Sequence, residues 1–452
     1  MDDRDIDLAQ RLALADKPAA EALRLHPFYR GKMQTMPKCP VDSGRDFAIW
    51  YTPGVAATCR DIVADPGQVY AHTNKGNLVA VVTDGSRVLG LGNIGPEAGL
   101  PVMEGKALLF KVLGGVDAVA IALASQEADD IVRAVELMAP SFGGINLEDI
   151  AQPKCFAILD RLRKSLRIPV WHDDQQGTAT VALAALVNAC AVVGKPPLAV
   201  KIVLVGIEAA NVAVYRLFKA YGIDPRMIVA CDRNGTLHPG RADIEAARNS
   251  YPDKWSICTE SNGAGVTGDI ADALRGADVC LAFSASGPGV IAPGWIRAMA
   301  DRAIVLACAN PVPEIWPWDA SAAGAAVVAT GRSDFPNQVN NSLVFPGLFR
   351  GVLDCRARSI SDGMALAAAG ALAESARARG LSVDSILPGM DDSGAAARLA
   401  AAVAMAAIRD GLADRIAGYE TFLAEAQDAI GKARASLAAL VAAGVIARPP
   451  AA

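Results

Sequence analysis

Aromatic residues are scarce, at 5% of 452, and histidine is scarcer still, with four in the whole chain. Those four, at positions 26, 72, 172 and 238, are too dispersed to suggest a multi-histidine metal site. The nine cysteines are scattered, odd in number and without a Cys-x-x-Cys pair. That pattern offers neither a zinc site nor a disulfide frame and suits reduced thiols in a core. Basic runs are also missing, none being longer than residues 161–164, and 43 Lys and Arg against 48 Asp and Glu leave a net charge of −5. Nucleic acid is therefore a poor partner, because phosphate binding leaves a basic patch. The longest apolar stretches, near 181–193 and 437–447, fall short of the roughly 20 residues a membrane helix needs. They read as Ala-rich buried helices, and no membrane partner is expected. The start, MDDRDIDLAQ, is acidic and polar where a signal peptide needs a basic start and an apolar stretch, so the expected location is the cytoplasm.

What the chain has in quantity is small aliphatic side chains. Apolar residues make up 52%, and the mean hydropathy is +0.27, enough to form a large core and to exclude disorder as the main state. At about 150 residues per domain the length allows two or three domains. Short β-branched runs alternate with helical patterns: LVAVVT at 78–83 ends in Asp-Gly-Ser, a second strand is expected at 118–123, and 129–138 reads as a helix. An apolar helix at 178–193 ends in Gly-Lys-Pro-Pro. KIVLV at 201–205, a helix at 209–221 and a strand at 227–231 then make a βαβ unit. Further strands are expected at 279–283, 304–307 and 326–329, and Ala-rich helices near 361–379, 394–410 and 419–443. The expected fold is α/β: a substrate and metal part over 1–175, a Rossmann-like doubly wound part over 176–345, and a helical segment over 346–452.

Two acidic clusters carry chemistry. GGINLEDI at 143–150 places Glu148 and Asp149 after a glycine turn, and VWHDDQQGT at 170–178 runs a strand into Asp173 and Asp174 before a helix. One reading is acids facing helix dipoles. The other is a metal site at the carboxyl ends of parallel strands, where ligands gather in such folds. Paired carboxylates beside Trp and Val are costly unless neutralised, and oxygen ligands suit Mg²⁺ or Mn²⁺ better than zinc. Upstream, the glycine-dense stretch 90–105 leads to Lys106, followed by apolar 107–110. Lys106 is either a solvated surface lysine or a desolvated base whose pKa burial lowers. Tyr51, in a short loop after apolar 47–50, reads on its own as a core tyrosine.

Together, YTPGVA (51–56), TDGSRVLGLGNIG (83–95), PVMEGKALLFK (101–111), GGINLEDI, HDDQQGTA (172–179), ANPVPE (309–314) and GRSDFPNQVNNSLVFPG (331–347) resemble the malic enzyme family, in that family's order. The small bacterial and archaeal form is the nearest match. The resemblance implies Tyr51 as general acid, Lys106 as general base, and Glu148, Asp149 and Asp174 as ligands of Mg²⁺ or Mn²⁺ with Asp173 the adjoining acid. It implies Arg87 on a substrate carboxylate, Asn310 and Asn341 near substrate and nicotinamide, and Asn340 toward the cofactor. It also implies a homodimer acting on a small carboxylic acid.

One segment departs from the family. After KIVLV stands Gly206-Ile-Glu208-Ala-Ala-Asn211, where the family has Gly-Ala-Gly-Ala-Ala-Gly. The second glycine admits the pyrophosphate and the third allows close packing of helix on strand. A carboxylate about 4 Å from a phosphate charge repels it by roughly 4 kcal/mol at an effective dielectric of about 20. GAGVTG at 263–268 satisfies the glycine pattern but follows polar residues, so it reads as a surface loop. Asp232, at the end of the next strand, is placed to bond a ribose hydroxyl and favours NAD. Arg233 beside it keeps NADP open, and a plain turn residue is the third reading. Two functions follow: metal-dependent oxidative decarboxylation of malate or a close 2-hydroxy acid with NAD or NADP, or a non-redox lyase on a β-keto or 2-keto acid that has lost dinucleotide binding.

Overall fold

The β-branched runs become the centres of two parallel sheets in the computed structural model, which describes residues 8–449 and side chains from Ala15 onward. The acidic reading of residues 1–7 lies outside the described residues. The first sheet holds β1 (Leu78–Thr83), β2 (Asp117–Ala122), β3 (Gly144–Leu147) and β4 (Val170–His172), in the order β2-β1-β3-β4 and parallel throughout. The second holds β5 (Ile202–Val205), β6 (Ile228–Asp232), β7 (Gly235–Thr236), β8 (Val279–Ala282), β9 (Ile304–Ala307) and β10 (Val327–Thr330), in the order β10-β9-β8-β5-β6-β7. Only β7 runs antiparallel to its neighbour. β5, β8 and β9 are buried along their whole length, which explains their unbroken apolar sequence.

Each sheet reverses its strand order once, between β1 and β3 in the first and between β5 and β8 in the second. Crevices open beyond the carboxyl ends of the strands at such points. The two crevices belong to one body. A single buried apolar cluster joins Val79 and Val81 on β1, the helix Thr178–Val193, Ile202 and Leu204 on β5, and Phe345 and Phe349. That helix packs twelve buried residues and continues directly from the turn Asp173–Gly177. Asp173–Val193 is thus long and apolar enough to cross a membrane by length and composition, longer than the apolar run alone suggested, yet 78% of the qualifying window lies inside the fold.

The glycine-dense stretch before Lys106 divides in two: residues 90–95 form a short turn and loop, and one helix then runs Pro96–Gly114, started by Pro96 in its first position and ended by Gly115 in the left-handed conformation. Met103, Lys106, Ala107 and Phe110 share its buried face at helical spacing. The C-terminal helices Phe345–Asp354, Asp362–Arg377, Ser393–Arg409 and Tyr419–Ala442 pack on Pro96–Gly114 and Thr178–Val193. Other boundaries agree with the sequence reading to within a residue or two, the ordinary uncertainty of element ends.

Candidate active site

β3 ends at Leu147 and β4 at His172, so the residues that follow them, Glu148 and Asp149, Asp173 and Asp174, emerge side by side at the first crevice. Asp149 adopts a positive φ of 55°, which turns its backbone N–H onto Asp174 Oδ2 at 2.8 Å. Carboxylate oxygens of Glu148, Asp149 and Asp174 lie within 4.8 Å of one another. Lys106 reaches the cluster from its helix: Nζ lies 2.5 Å from Asp173 Oδ2 and 3.0 Å from Glu148 Oε1, and donates to Asn341 Oδ1 at 3.1 Å. The Phe345 ring lies 4.6 Å from the ammonium. Two further donors fix the acids. Trp171 Nε1 donates to Asp173 Oδ1 at 3.0 Å, and Asn146 Nδ2 to Glu148 Oε2 at 2.9 Å.

The charges here do not balance. Burial raises the carboxyl pKa values of Glu148, Asp149 and Asp174, and the acids raise one another against the opposing pull of Lys106. Burial likewise raises Asp173, to about 6, although Lys106 and Trp171 oppose it. One lysine faces three buried acids and the half-buried Asp174, and Asp149 Oδ2 is buried without a hydrogen-bond partner. An orphaned carboxylate oxygen beside two others is the donor set that a hard divalent cation satisfies. The expectation that desolvation lowers the Lys106 pKa is corrected: burial does push it down, but Asp173, Glu148 and Asp174 outweigh that and hold it above its ordinary value.

A cleft of about 1220 Å³ joins this cluster to the second crevice and is lined by Arg87, Lys106, Glu148, Asp149 and Asp174 on one side and Gly206, Glu208, Asp232, Asn310, Asn340 and Asn341 on others. Gly206 has φ +86°, and a Cβ there would stand 2.6 Å from the Phe283 carbonyl oxygen, so only glycine fits where β5 and β8 part. Glu208 does not present a bare carboxylate to the cleft. Its Oε2 accepts from Arg87 Nε at 3.2 Å and Nη2 at 2.9 Å, across the two crevices. The repulsion expected from an isolated Glu208 is offset by this pair. Asn211 is fully buried, and its Nδ2 donates to the carbonyls of Val205 at 3.0 Å and Gly206 at 2.6 Å, tying the loop to its strand by hydrogen bonds.

The motif order, the two crevices and the acid cluster point the same way as similarity to known proteins. A family model described as "Malic enzyme, N-terminal domain" matches residues 30–163, and one described as "Malic enzyme, NAD binding domain" matches 175–408. The chain belongs to the malic enzyme family. It is 48% identical over 394 residues to a bifunctional malic/malolactic enzyme of Bacillus subtilis, covering 87% of this chain and 94% of that one. It is 46% identical over 393 residues to an NAD-dependent malic enzyme of Geobacillus stearothermophilus, covering 86% and 80%. The crystal structure of Entamoeba histolytica malic enzyme superposes with a TM-score of 0.95 at 45% identity, covering 99% of this chain and 93% of that one.

Within this malic enzyme family member, several other site residues are placed less simply. Tyr51 stands at the end of the short helix Phe47–Trp50, 71% exposed, and is neither a core tyrosine nor among the residues lining the cleft. Asp232 borders the cleft but is heavily engaged: it takes a bidentate contact from Arg241 at 3.1 and 3.0 Å, Lys254 Nζ at 2.5 Å and the turn N–H of Asn234 at 2.9 Å. Burial pushes its pKa up, and the Arg241 and Lys254 donors more than reverse this. Asn340 lines the cleft, yet its Oδ1 caps the turn through Ser342 N and its Nδ2 donates to the Gly331 carbonyl. Residues 263–268 form an open loop between Glu260 and Ile270, as expected.

Sequence reasoning passed over two supports. Glu314, inside ANPVPE, is fully buried and accepts from Ser284 N, Ser284 Oγ and Ala309 N at 2.8, 3.0 and 3.0 Å. It ties together the loops after β8 and β9 that wall the cleft. An acid between two prolines in an apolar context was the available signal. Lys154 pairs with fully buried Asp84 at 2.5 Å, and Ser86 Oγ donates to Asp84 while accepting Ala151 N at 2.9 Å. These contacts lock the Arg87 loop against the loop carrying Glu148 and Asp149.

Proposed function

We propose that the chain catalyses metal-dependent oxidative decarboxylation of malate, or a close 2-hydroxy acid, to pyruvate and CO₂ with NAD or NADP. The observation that carries this reading is the Glu148, Asp149 and Asp174 set, its first two members buried, facing Lys106 in the cleft that the Gly206 loop also lines. Glu148, Asp149 and Asp174 would hold Mg²⁺ or Mn²⁺, and the bound cation and nicotinamide supply, respectively, a Lewis acid for the developing enolate oxygen and the acceptor for the C2 hydride. Lys106 takes the C2 hydroxyl proton at Nζ. Asp173 and Asn341 orient that nitrogen, and its basic form becomes reachable once the neighbouring carboxylate charges are offset. Arg87 holds a substrate carboxylate, Asn310 contributes to the same wall, and Asn340 shapes the cofactor side through its turn. Tyr51 protonates the enol carbon. We assign 1–175 to substrate and metal, 176–345 to nucleotide, and 346–452 to a helical segment that supports both. The non-redox alternative is not favoured, since the chain matches the family's NAD binding domain over residues 175–408.

Because Tyr51 lies outside the cleft lining of its own chain, we assign it to the cleft of a second copy in a cytoplasmic homodimer. Phe47, Ile49 and Trp50 beside it are exposed, and the helices over 47–72 bury no residue against the rest of the chain. Clustered exposed apolar side chains of this kind mark an interaction surface. Malate with Mn²⁺ and NAD or NADP should give reduced nicotinamide and pyruvate in equal amounts. Pyruvate formed from oxaloacetate alone, with no nucleotide reduction from malate, would sink the reading.

A further inference from the structure

The pair between Arg87 and Glu208 joins residues 121 positions apart, one from each crevice. Each nitrogen of the Arg87 guanidinium donates to a protein acceptor: Nε and Nη2 to Glu208 Oε2, and Nη1 to the Leu89 carbonyl at 3.1 Å. Glu208 is the last residue before the helix Ala209–Tyr221, but its carboxylate makes no cap bond to that helix and crosses the cleft to Arg87 instead. The side chains are 41% and 50% exposed, so the pair is screened by water and open to competition from incoming anions.

Resting on the function proposed above, we infer that Glu208 is a specificity-determining residue that makes substrate and nucleotide binding antagonistic. Two Arg87 donors converge on one Glu208 oxygen, and a guanidinium edge held in this way is not free for a second carboxylate. In the ligand-free enzyme Glu208 therefore occupies the place of the substrate carboxylate. With its charge paired, Glu208 tolerates a pyrophosphate at the loop of Gly206. When substrate takes Arg87, Glu208 is released and stands unpaired beside the nucleotide phosphates, where it repels them. By linkage, each ligand weakens the other by the same factor. A glycine at 208 would give neither the competition nor the coupling.

The test is a fluorescence titration of NADH and of NADPH into the full-length enzyme with Mg²⁺, with and without saturating malate; reduced nucleotide and malate cannot react, so the complex persists. In the wild type, malate weakens binding of the preferred reduced nucleotide about fivefold. Glu208→Gln keeps the size and loses the charge: without malate its nucleotide Kd stays within about twofold of the wild type, malate shifts it less than twofold, and KM for malate falls about threefold. Glu208→Asp keeps the charge but, one methylene shorter, loses Arg87, so it binds nucleotide weakly with or without malate. An equal malate effect in the wild type and Glu208→Gln, no malate effect in the wild type, or a raised malate KM in Glu208→Gln overturns the inference. A wild type that fails to reduce nucleotide with malate overturns the functional reading first, a distinct result.

Discussion

The two crevices solve opposite electrostatic problems. At the first, four acids, three of them buried, crowd around one lysine, and the excess negative charge is kept because a dication is the proposed occupant. At the second, a single acid stands where a phosphate belongs, and its charge is offset by an arginine borrowed from the first. Negative charge is therefore concentrated where a cation is needed and compensated where an anion enters. An acid at a ligand site has no fixed meaning until its partner is known, as Asp149, with its orphaned oxygen, and Glu208, with two arginine donors on one oxygen, illustrate.

The sharpest way to break this contrast is to remove the cation already present. Lys106→Ala should lower kcat by about a thousandfold, within the range for loss of a positioned general base, while NADH binding by fluorescence changes little. A matching loss of nucleotide affinity would mean the crevices are not separable. Next in size, Asp174→Asn should weaken Mn²⁺ binding, read by electron paramagnetic resonance, by about 100-fold, and should abolish the rise in thermal midpoint that Mn²⁺ gives the wild type. Unchanged Mn²⁺ affinity would place the metal elsewhere.

The contrast also spans two subunits if Tyr51 acts in its partner's cleft. Tyr51→Phe and Lys106→Ala proteins, each inactive, should regain about a quarter of wild-type activity when their subunits are exchanged, since half the dimers are mixed and each has one intact site. No recovery would place both groups in one chain. The smallest effect concerns the loop itself. Asn211→Ala removes two donors from buried carbonyls and should cost about 1–2 kcal/mol, seen as a lower thermal midpoint. A neutral outcome would show that packing alone holds the loop.

Much of this was legible in the sequence because it is written locally. The strand LVAVVT, the helix at 178–193 and the acids after β3 and β4 are short patterns whose chemistry depends on their immediate neighbours. Lys106 was legible as a candidate but not as part of a helix, since the glycines before it masked the 103, 106, 107, 110 spacing that buries it. What the sequence could not carry was pairing between distant segments. Nothing near residue 208 points to residue 87, and nothing in ANPVPE shows that Glu314 reaches back to Ser284. The phosphate-loop conflict dissolves only when the two crevices are seen to share a cleft.

The most direct measurement is pyruvate and reduced nicotinamide counted together from malate, Mn²⁺ and either nucleotide. Equal amounts of the two, lost in Lys106→Ala and in Asp174→Asn, are the predicted result. Pyruvate without reduced nicotinamide would contradict it, and would mean that pairing with Arg87 does not open the second crevice to its cofactor.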